Sequence, residues 1–360
     1  MKQLPHRLID LPHLAMKVYN EHMTNKMTLI AASGIVSVLI IGALVIHQDV
    51  SKAFASTGFP KNERIGVWDW AAPDTTSSSE KQQVAAALKA RGITEVYVDI
   101  TSYNDDSELS DPIARKTKIT EFTNALRETA RYLHADGIAV HALAGNSHWA
   151  NPDYSYIPLK LLDFVAAYNQ AASDEEKLAG MQFDIEFYND KDFKYAPLAY
   201  TQQFLNLTQM LANERSLRFE NDSQFTLGFA ISAAMDGSDP SYIPNVPQGD
   251  AAAKPPLSIL LDQLKGGFPA YMAVMAYRNK ANKTIERVQT EMEMASNYSN
   301  IKVLVGEETT KVSPKSLTFY SQSLTDLQQM TASVQATFSA NYALGGYAIN
   351  DQDGFLKLKD

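Results

Sequence analysis

Cysteine is absent from this 360-residue chain, and its absence excludes several kinds of chemistry at once. Disulfides, thiolate zinc sites and cysteine nucleophiles cannot form. Positive charge is also scarce, because 32 lysines and arginines stand against 41 aspartates and glutamates, a formal net charge of −9. No basic stripe is evident that would neutralise phosphates, so the composition argues against nucleic-acid binding.

One segment, at 27–46, is predominantly apolar. It contains no charged residue and is long enough to cross a bilayer once. Since the tail before it, at 1–26, is short and mildly basic, we predict a transmembrane signal anchor with the tail inside. A linker at 47–62 then leads to a domain at 63–360, outside the cytoplasm. Cleavage near Ala55 is the alternative and would release a secreted protein.

Beyond residue 63, short β-branched or aromatic runs alternate with longer helical stretches, the pattern of repeated βα units. The predicted strands lie at 64–70, 95–100, 138–145, 180–187, 225–232, 271–277, 302–308 and 345–351. The predicted helices lie at 79–91, 117–135, 159–178, 197–216, 257–264, 284–298 and 316–339. This order predicts an α/β fold, a (β/α)8 TIM barrel preceded by the single transmembrane helix. A doubly wound open sheet is the alternative, but no Gly-rich phosphate loop follows the first strand.

Polar and aromatic side chains concentrate where the predicted strands end, which is the rim that carries the active site in such barrels. The candidate substrate-binding residues are Trp68, Asp69, Trp70, Asp99, His141, Trp149, Tyr188, Arg278, Glu308 and Asn350. Aromatic rings match the C–H faces of sugars, and carboxylates and amides match their hydroxyls. We therefore predict a polysaccharide or oligosaccharide ligand, with core packing as the alternative role for each aromatic residue. The Pro- and Gly-rich stretch at 237–256 is predicted as a long loop on the same rim.

Two carboxylates, Asp184 and Glu186, close the fourth predicted strand in the stretch GMQFDIEF. Alternation along a strand points both side chains to one face. One like charge raises the pKa of the other, which would leave Glu186 protonated near neutral pH as a general acid. A solvated pair of strand-end carboxylates is the alternative. Because no tight ligand motif such as HExxH occurs, we predict neither a metal nor a cofactor.

This stretch resembles the signature of the chitinase-like glycosidases, in which alternating acids lead to a catalytic Glu on the fourth barrel strand. The chain keeps Gly180, Asp184 and Glu186, and it departs from the family pattern at Ala179 and Gln182, where the family usually has Asp.

Two further positions bear on the same resemblance. The sixth predicted strand ends in MAYR, which is similar to the family's Met-x-Tyr-Asp, with Arg278 in place of Asp. Asn350 stands near the position where the family usually has a tryptophan that closes strand eight.

The resemblance implies a glycoside hydrolase acting on an N-acetylhexosamine-containing polysaccharide. Glu186 would protonate the leaving glycosidic oxygen, and Asp184 would orient the substrate's own acetamido group for attack on the anomeric carbon. Tyr277 would donate a hydrogen bond to the acetamido oxygen. The replacement at Arg278 suggests a sugar with a negative charge or an unusual linkage.

Two alternatives remain open. A retaining glycosidase would pair Glu186 as acid/base with a nucleophile at Glu307 or Glu308, of which alternation turns one into the barrel. A carboxyl separation of about 5 Å would give retention, and about 7–9 Å would suit inversion. A sugar-binding barrel without catalysis is the non-enzymatic alternative, against which Asp184, Glu186 and Tyr277 together argue.

Overall fold

The structure is a computed structural model that describes residues 58–61, 63–73 and 77–360. The predicted tail at 1–26, the predicted signal anchor at 27–46 and most of the predicted linker at 47–62 lie outside these residues. In the part that is described, no helix combines the length and the apolar character needed to cross a membrane.

Eight parallel strands close into a barrel, which confirms the predicted (β/α)8 fold. The strands of the described chain are β1 (Arg64–Asp69), β2 (Glu95–Asp99), β3 (Ala139–Gly145), β4 (Gly180–Asp184), β5 (Thr226–Ser232), β6 (Val246–Gln248), β7 (Ala251–Lys254), β8 (Ala270–Met275), β9 (Ile301–Glu308) and β10 (Leu344–Asn350). The order around the barrel is β1-β10-β9-β8-β5-β4-β3-β2. The remaining strands, β6 and β7, form a separate antiparallel hairpin within the predicted rim loop.

Helices connect the strands and cover the barrel. Those of the described residues are α1 (Ser78–Ala90), α2 (Ser102–Ser107), α3 (Pro112–Ala135), α4 (Tyr156–Ala171), α5 (Pro197–Arg218), α6 (Pro256–Leu264), α7 (Ala281–Ala295), α8 (Leu324–Phe338) and α9 (Gln352–Leu356). Local sequence explains several starts, since capping boxes at Ser77 and Ser323 begin α1 and α8. The short helices α2 and α9 are not among the predicted elements.

The strands bury two faces, as the alternation of their side chains requires. The inner layer fills the barrel with Trp68, Tyr97, Leu143, Ala230, Tyr271, Ala273, Leu304 and Ala348. The outer layer packs the strands against the helices in one continuous apolar cluster. A packed interior leaves the strand ends and their loops as the place for chemistry.

A polar network lies near the N-terminal end of the barrel. The Arg64 guanidinium donates to both oxygens of Glu95, at 2.5 and 2.8 Å, and the Tyr97 hydroxyl donates to the same carboxylate at 2.8 Å. His141 lies here too, with Nε2 3.6 Å from Glu95, and burial lowers its pKa to about 4. His141 was predicted to lie at the rim. The structure instead buries it inside the barrel, four residues before the end of β3.

Candidate active site

The chain leaves the barrel sheet between the two predicted acids. The strand β4 ends at Asp184, not at residue 187 as predicted, and a 3-10 turn follows at Phe187–Asn189. This turn buries the Phe187 ring, which stacks on Phe204 at a centroid distance of 4.7 Å. Glu186 is consequently positioned by a turn and not by strand alternation.

Asp184 is held in a confined position at the end of β4. A Cβ at position 145 would lie 2.5 Å from the Asp184 carbonyl oxygen, so Gly145 makes the room this residue needs. The buried Oδ1 of Asp184 has no hydrogen-bond partner among the described residues. Burial, and then the charge of Glu186, raises the pKa of Asp184 well above its usual range. Burial thus favours the protonated form of Asp184, whereas the sequence assigned the raised pKa to Glu186.

Glu186 is oriented by two donors from its own turn. Its Oε2 accepts hydrogen bonds from the Tyr188 hydroxyl at 2.9 Å and from Asn189 Nδ2 at 3.0 Å. Tyr188 is one of the predicted residues, whereas Asn189 is not. Spacing within a strand gives no hint of Asn189, because only the 3-10 turn returns it to the carboxylate.

Tyr277 lies just beyond β8 with an unusual backbone. Its φ of 30° falls in the left-handed region, which costs a non-glycine residue about 1–3 kcal/mol. Its pKa is raised well above the usual value, first by burial and then by the charges of Asp184, Glu308 and Glu186. The hydroxyl thus lies within electrostatic range of four carboxyls, two at the end of β4 and two at the end of β9.

Glu308 belongs to a hydrogen-bonded chain at the barrel mouth. Its oxygens accept from the Thr310 amide at 2.6 Å and from Asn350 Nδ2 at 2.8 Å. The Asn350 side chain in turn accepts from Trp70 Nε1 at 3.0 Å. These contacts join three of the predicted residues, Trp70, Glu308 and Asn350, into one unit on the inner face.

Glu307 faces the opposite way, as the alternation along β9 requires. Its Oε2 accepts from the Arg278 amide at 3.4 Å, and its buried Oε1 has no partner in the described chain. Burial raises its pKa well above the usual range. Of the two predicted nucleophile candidates, only Glu308 therefore points into the barrel.

Asp69 and Asp99 fall on different faces of their strands. Asp99 Oδ1 accepts from the amide and the hydroxyl of Thr101, at 2.9 and 2.5 Å, on the inner face of β2. Asp69 instead lines a cavity of about 170 Å³ on the outer face, with Val84 and Leu133 from the helices. Burial raises the pKa of Asp69 to about 6. Its predicted place beside the substrate is not what the structure shows.

The three tryptophans, all predicted to bind substrate, do not lie together at the mouth of the barrel. Trp68 is 1% exposed inside the barrel, and Trp149 is 4% exposed in the outer apolar layer. Only Trp70 lies at the mouth, bonded to Asn350. For Trp68 and Trp149 the core alternative holds, because both are covered by neighbouring elements that local sequence does not reveal.

The predicted rim loop contributes a residue that the prediction missed. Tyr242 is 41% exposed, and its ring lies 5.9 Å from that of Tyr188. Burial, and next the charge of Glu186, raises the pKa of Tyr242. The loop thus closes one side of the site. Among the residues described, no group of three or more His, Asp or Glu side chains is arranged to hold a metal ion.

Comparisons with known proteins agree with this architecture. No protein-family model matches the chain, and no curated protein matches it in sequence. The family 1 β-glucosidase from Thermotoga maritima is similar in structure, with a TM-score of 0.52 and 9% identity over 82% of this chain and 89% of that chain. A β-glucosidase from Exiguobacterium marinum has a TM-score of 0.51 and 10% identity over 81% and 89%.

A mutant plant class V chitinase from Cycas revoluta, in complex with (GlcNAc)3, has a TM-score of 0.47 and 11% identity over 81% and 96%. The similarity to the two β-glucosidases shows that this chain belongs to the class of (β/α)8-barrel proteins by its fold.

Proposed function

We propose that this protein is a glycoside hydrolase that cleaves an N-acetylhexosamine-containing polysaccharide, with Glu186 as the general acid. One observation carries the proposal. At the mouth of the barrel, Asp184 has a buried oxygen without a hydrogen-bond partner among the described residues, and Glu186 and Glu308 are each held by side-chain donors. The charges of these three carboxyls also raise the pKa of the Tyr277 hydroxyl. Carboxyls gathered around one donor suit a reaction that moves a proton and develops positive charge on a sugar ring.

In this proposal Asp184 and Glu186 share one proton. In the free protein Asp184 holds it, because its buried carboxyl is costly to ionise. When a substrate acetamido group reaches Asp184, the proton passes to Glu186, and the ionised Asp184 then faces the acetamido N–H. Tyr188 and Asn189 keep the Glu186 carboxyl in place for this transfer.

Bond cleavage follows from that arrangement. The acetamido oxygen attacks the anomeric carbon while Glu186 gives its proton to the leaving glycosidic oxygen, so one C–O bond forms as another breaks. The positive charge on the cyclised acetamido group lies beside the Asp184 carboxylate. Water then opens this intermediate and returns a proton to Glu186. Tyr277 donates to the acetamido oxygen and orients it.

Glu308 supports a second candidate, the retaining enzyme with a carboxylate nucleophile. It is the inward-facing acid on β9, and Thr310 and Asn350 hold its carboxylate in place. In the first mechanism Glu308 positions Trp70 and Asn350 for the sugar, and in the second it forms a covalent bond to the anomeric carbon. The apolar segment at 27–46 supports the further proposal that the substrate lies outside the cytoplasm, at a membrane-anchored or secreted enzyme.

The test is reducing-end release from matched N-acetylated and N-unsubstituted glycans by the full-length protein. The variants are Glu186→Gln and Glu308→Gln, and Glu293→Gln on the exposed face of α7 is the matched control. Loss of activity with Glu186→Gln, on N-acetylated substrates alone, supports acetamido assistance. Equal loss with Glu308→Gln supports the carboxylate nucleophile. Sugar binding without release by the parent protein contradicts both and supports a non-catalytic barrel.

A further inference from the structure

A cavity opens on the rim beside Arg278, the residue that follows Tyr277. It has a volume of about 320 Å³ and lies between the turn that follows β5 and the helix α7. The next residue after Tyr277, Arg278, lines it, and Arg287 enters from the first half of α7. Ser238 and Asp236 complete the wall from the rim loop. The cavity therefore begins one residue beyond a proposed catalytic side chain.

Both arginines in this cavity have unused donors. Arg278 donates from Nη1 to the carbonyl of Tyr277 at 2.8 Å. Arg287 has its Nε buried without an acceptor in the described chain. Because this Nε is closed to solvent, an acceptor bound in the cavity would be met by the Nη groups of the two arginines. Neither arginine is within ion-pair distance of a carboxylate among the described residues.

The acids of the cavity are already engaged. Glu286 pairs with Lys283 at 2.6 Å, and Asp236 Oδ1 accepts the amide of Ser238 at 2.7 Å. Two further carboxyls are fully buried near these arginines, Glu307 beside the Arg278 amide and Glu291 within electrostatic range of Arg287. Burial raises the pKa of both, to about 8 for Glu291 and well above the usual range for Glu307. Burial thus disfavours the charged form of both carboxyls.

We propose that Arg278 and Arg287 form an anionic subsite that binds the carboxylate of a uronic acid unit in the glycan. A planar guanidinium offers paired donors that match the two oxygens of a carboxylate, which a lysine cannot reproduce. The subsite lies next to Tyr277, so an acidic unit bound there would sit beside the sugar under attack. This inference rests on the proposed function and narrows its substrate to an acidic, N-acetylated glycan.

The experiment measures binding and not turnover, so that it does not depend on catalysis. The probe is an oligosaccharide that alternates N-acetylglucosamine with glucuronic acid. Its carboxyl-reduced form, in which each carboxylate is a primary alcohol, is the comparison. Calorimetry on the full-length Glu186→Gln protein gives both affinities, with Arg287→Gln, Arg287→Lys and Arg218→Gln added in turn. Arg218 lines a different cavity, between α4 and α5, and is the matched control.

We expect the acidic form to bind at least about tenfold more tightly than the reduced form, the effect of one charge-assisted hydrogen bond. Arg287→Gln should remove this preference, Arg287→Lys should retain part of it, and Arg218→Gln should leave it intact. Circular dichroism verifies that each variant is folded. Equal affinity for the two forms, no binding of either form, or tighter binding of a sulfated analogue would overturn the carboxylate subsite.

Different results would contradict the subsite and the proposed function. Preference for the acidic form, without hydrolysis by the parent protein, supports the subsite and contradicts the catalytic proposal. Glu186-dependent hydrolysis of neutral N-acetylated glycans, without any preference for binding the acidic form, supports the catalytic proposal and contradicts the subsite.

Discussion

The buried carboxyl of Glu291 should make the free energy of unfolding depend on pH, by an amount that follows from the structure. It is fully buried on α7, and neither carboxyl oxygen has a hydrogen-bond partner among the described residues. Burial, with a smaller contribution from Asp236, raises its pKa from 4.5 to about 8. Because the folded-state pKa lies above the unfolded one, stability is complete below pH 4.5 and falls as the pH rises to about 8. Each pH unit in this window costs about 1.4 kcal/mol, so the loss at pH 7 is about 3 kcal/mol.

Glu291→Met keeps the approximate volume and removes the carboxyl. We expect its free energy of unfolding to exceed that of the parent by about 3 kcal/mol at pH 7, and by less than about 1 kcal/mol at pH 5. Urea denaturation at pH 5, 6, 7 and 8, followed by circular dichroism, measures both. The control is Glu293→Met, an exposed position on the same helix, which should change stability by less than about 0.5 kcal/mol. A Glu291→Met variant that is less stable at pH 7, or a difference that does not vary with pH, would refute the reasoning.

Three further predictions follow from other parts of the structure. Asp184→Asn should abolish release from N-acetylated glycans. It should also become more stable than the parent as the pH rises, because only the parent must ionise a buried acid. Urea unfolding at pH 6 and pH 9 tests this, and an equal pH dependence of the two proteins would contradict it. Asn350→Ala should cost about 1–3 kcal/mol and lower kcat, because Glu308 loses a donor, so unchanged kcat would count against the hydrogen-bonded chain. Arg64→Met should destabilise by about 3 kcal/mol in urea, since it removes the charged partner of Glu95 and leaves this carboxylate with the Tyr97 hydroxyl as its donor; unchanged stability would show that the ion pair is dispensable.

Strand positions were largely predictable because each buried strand carries a compact β-branched or aromatic run. The prediction for β9, at 302–308, differs from the observed Ile301–Glu308 by one residue. The largest difference among the barrel strands is at β4, where the apolar pattern continues through Phe187 although the strand ends at Asp184. Phe187 leaves the sheet to stack on Phe204, a contact with a distant helix that no local pattern reports.

The site was predictable only as far as strand alternation and strand ends determine it. Alternation requires one of Glu307 and Glu308 to face inward, and the structure identifies Glu308. His141 and Trp149 looked like rim residues because a polar or aromatic side chain near a strand end has the same local pattern in a core. Arg287 carried no signal at all, since it reaches the cavity of Arg278 only through the packing of α7.

The most direct test of the central claim compares leaving groups. A general acid matters most when the departing oxygen needs a proton, so kcat/KM is measured for an N-acetylglucosaminide with a sugar leaving group and for its 2,4-dinitrophenyl counterpart. The account predicts that Glu186→Gln lowers kcat/KM by about 10²–10⁴-fold on the first substrate and much less on the second. An equal loss on both substrates, or no loss on the first, would contradict the assignment of Glu186 as the acid.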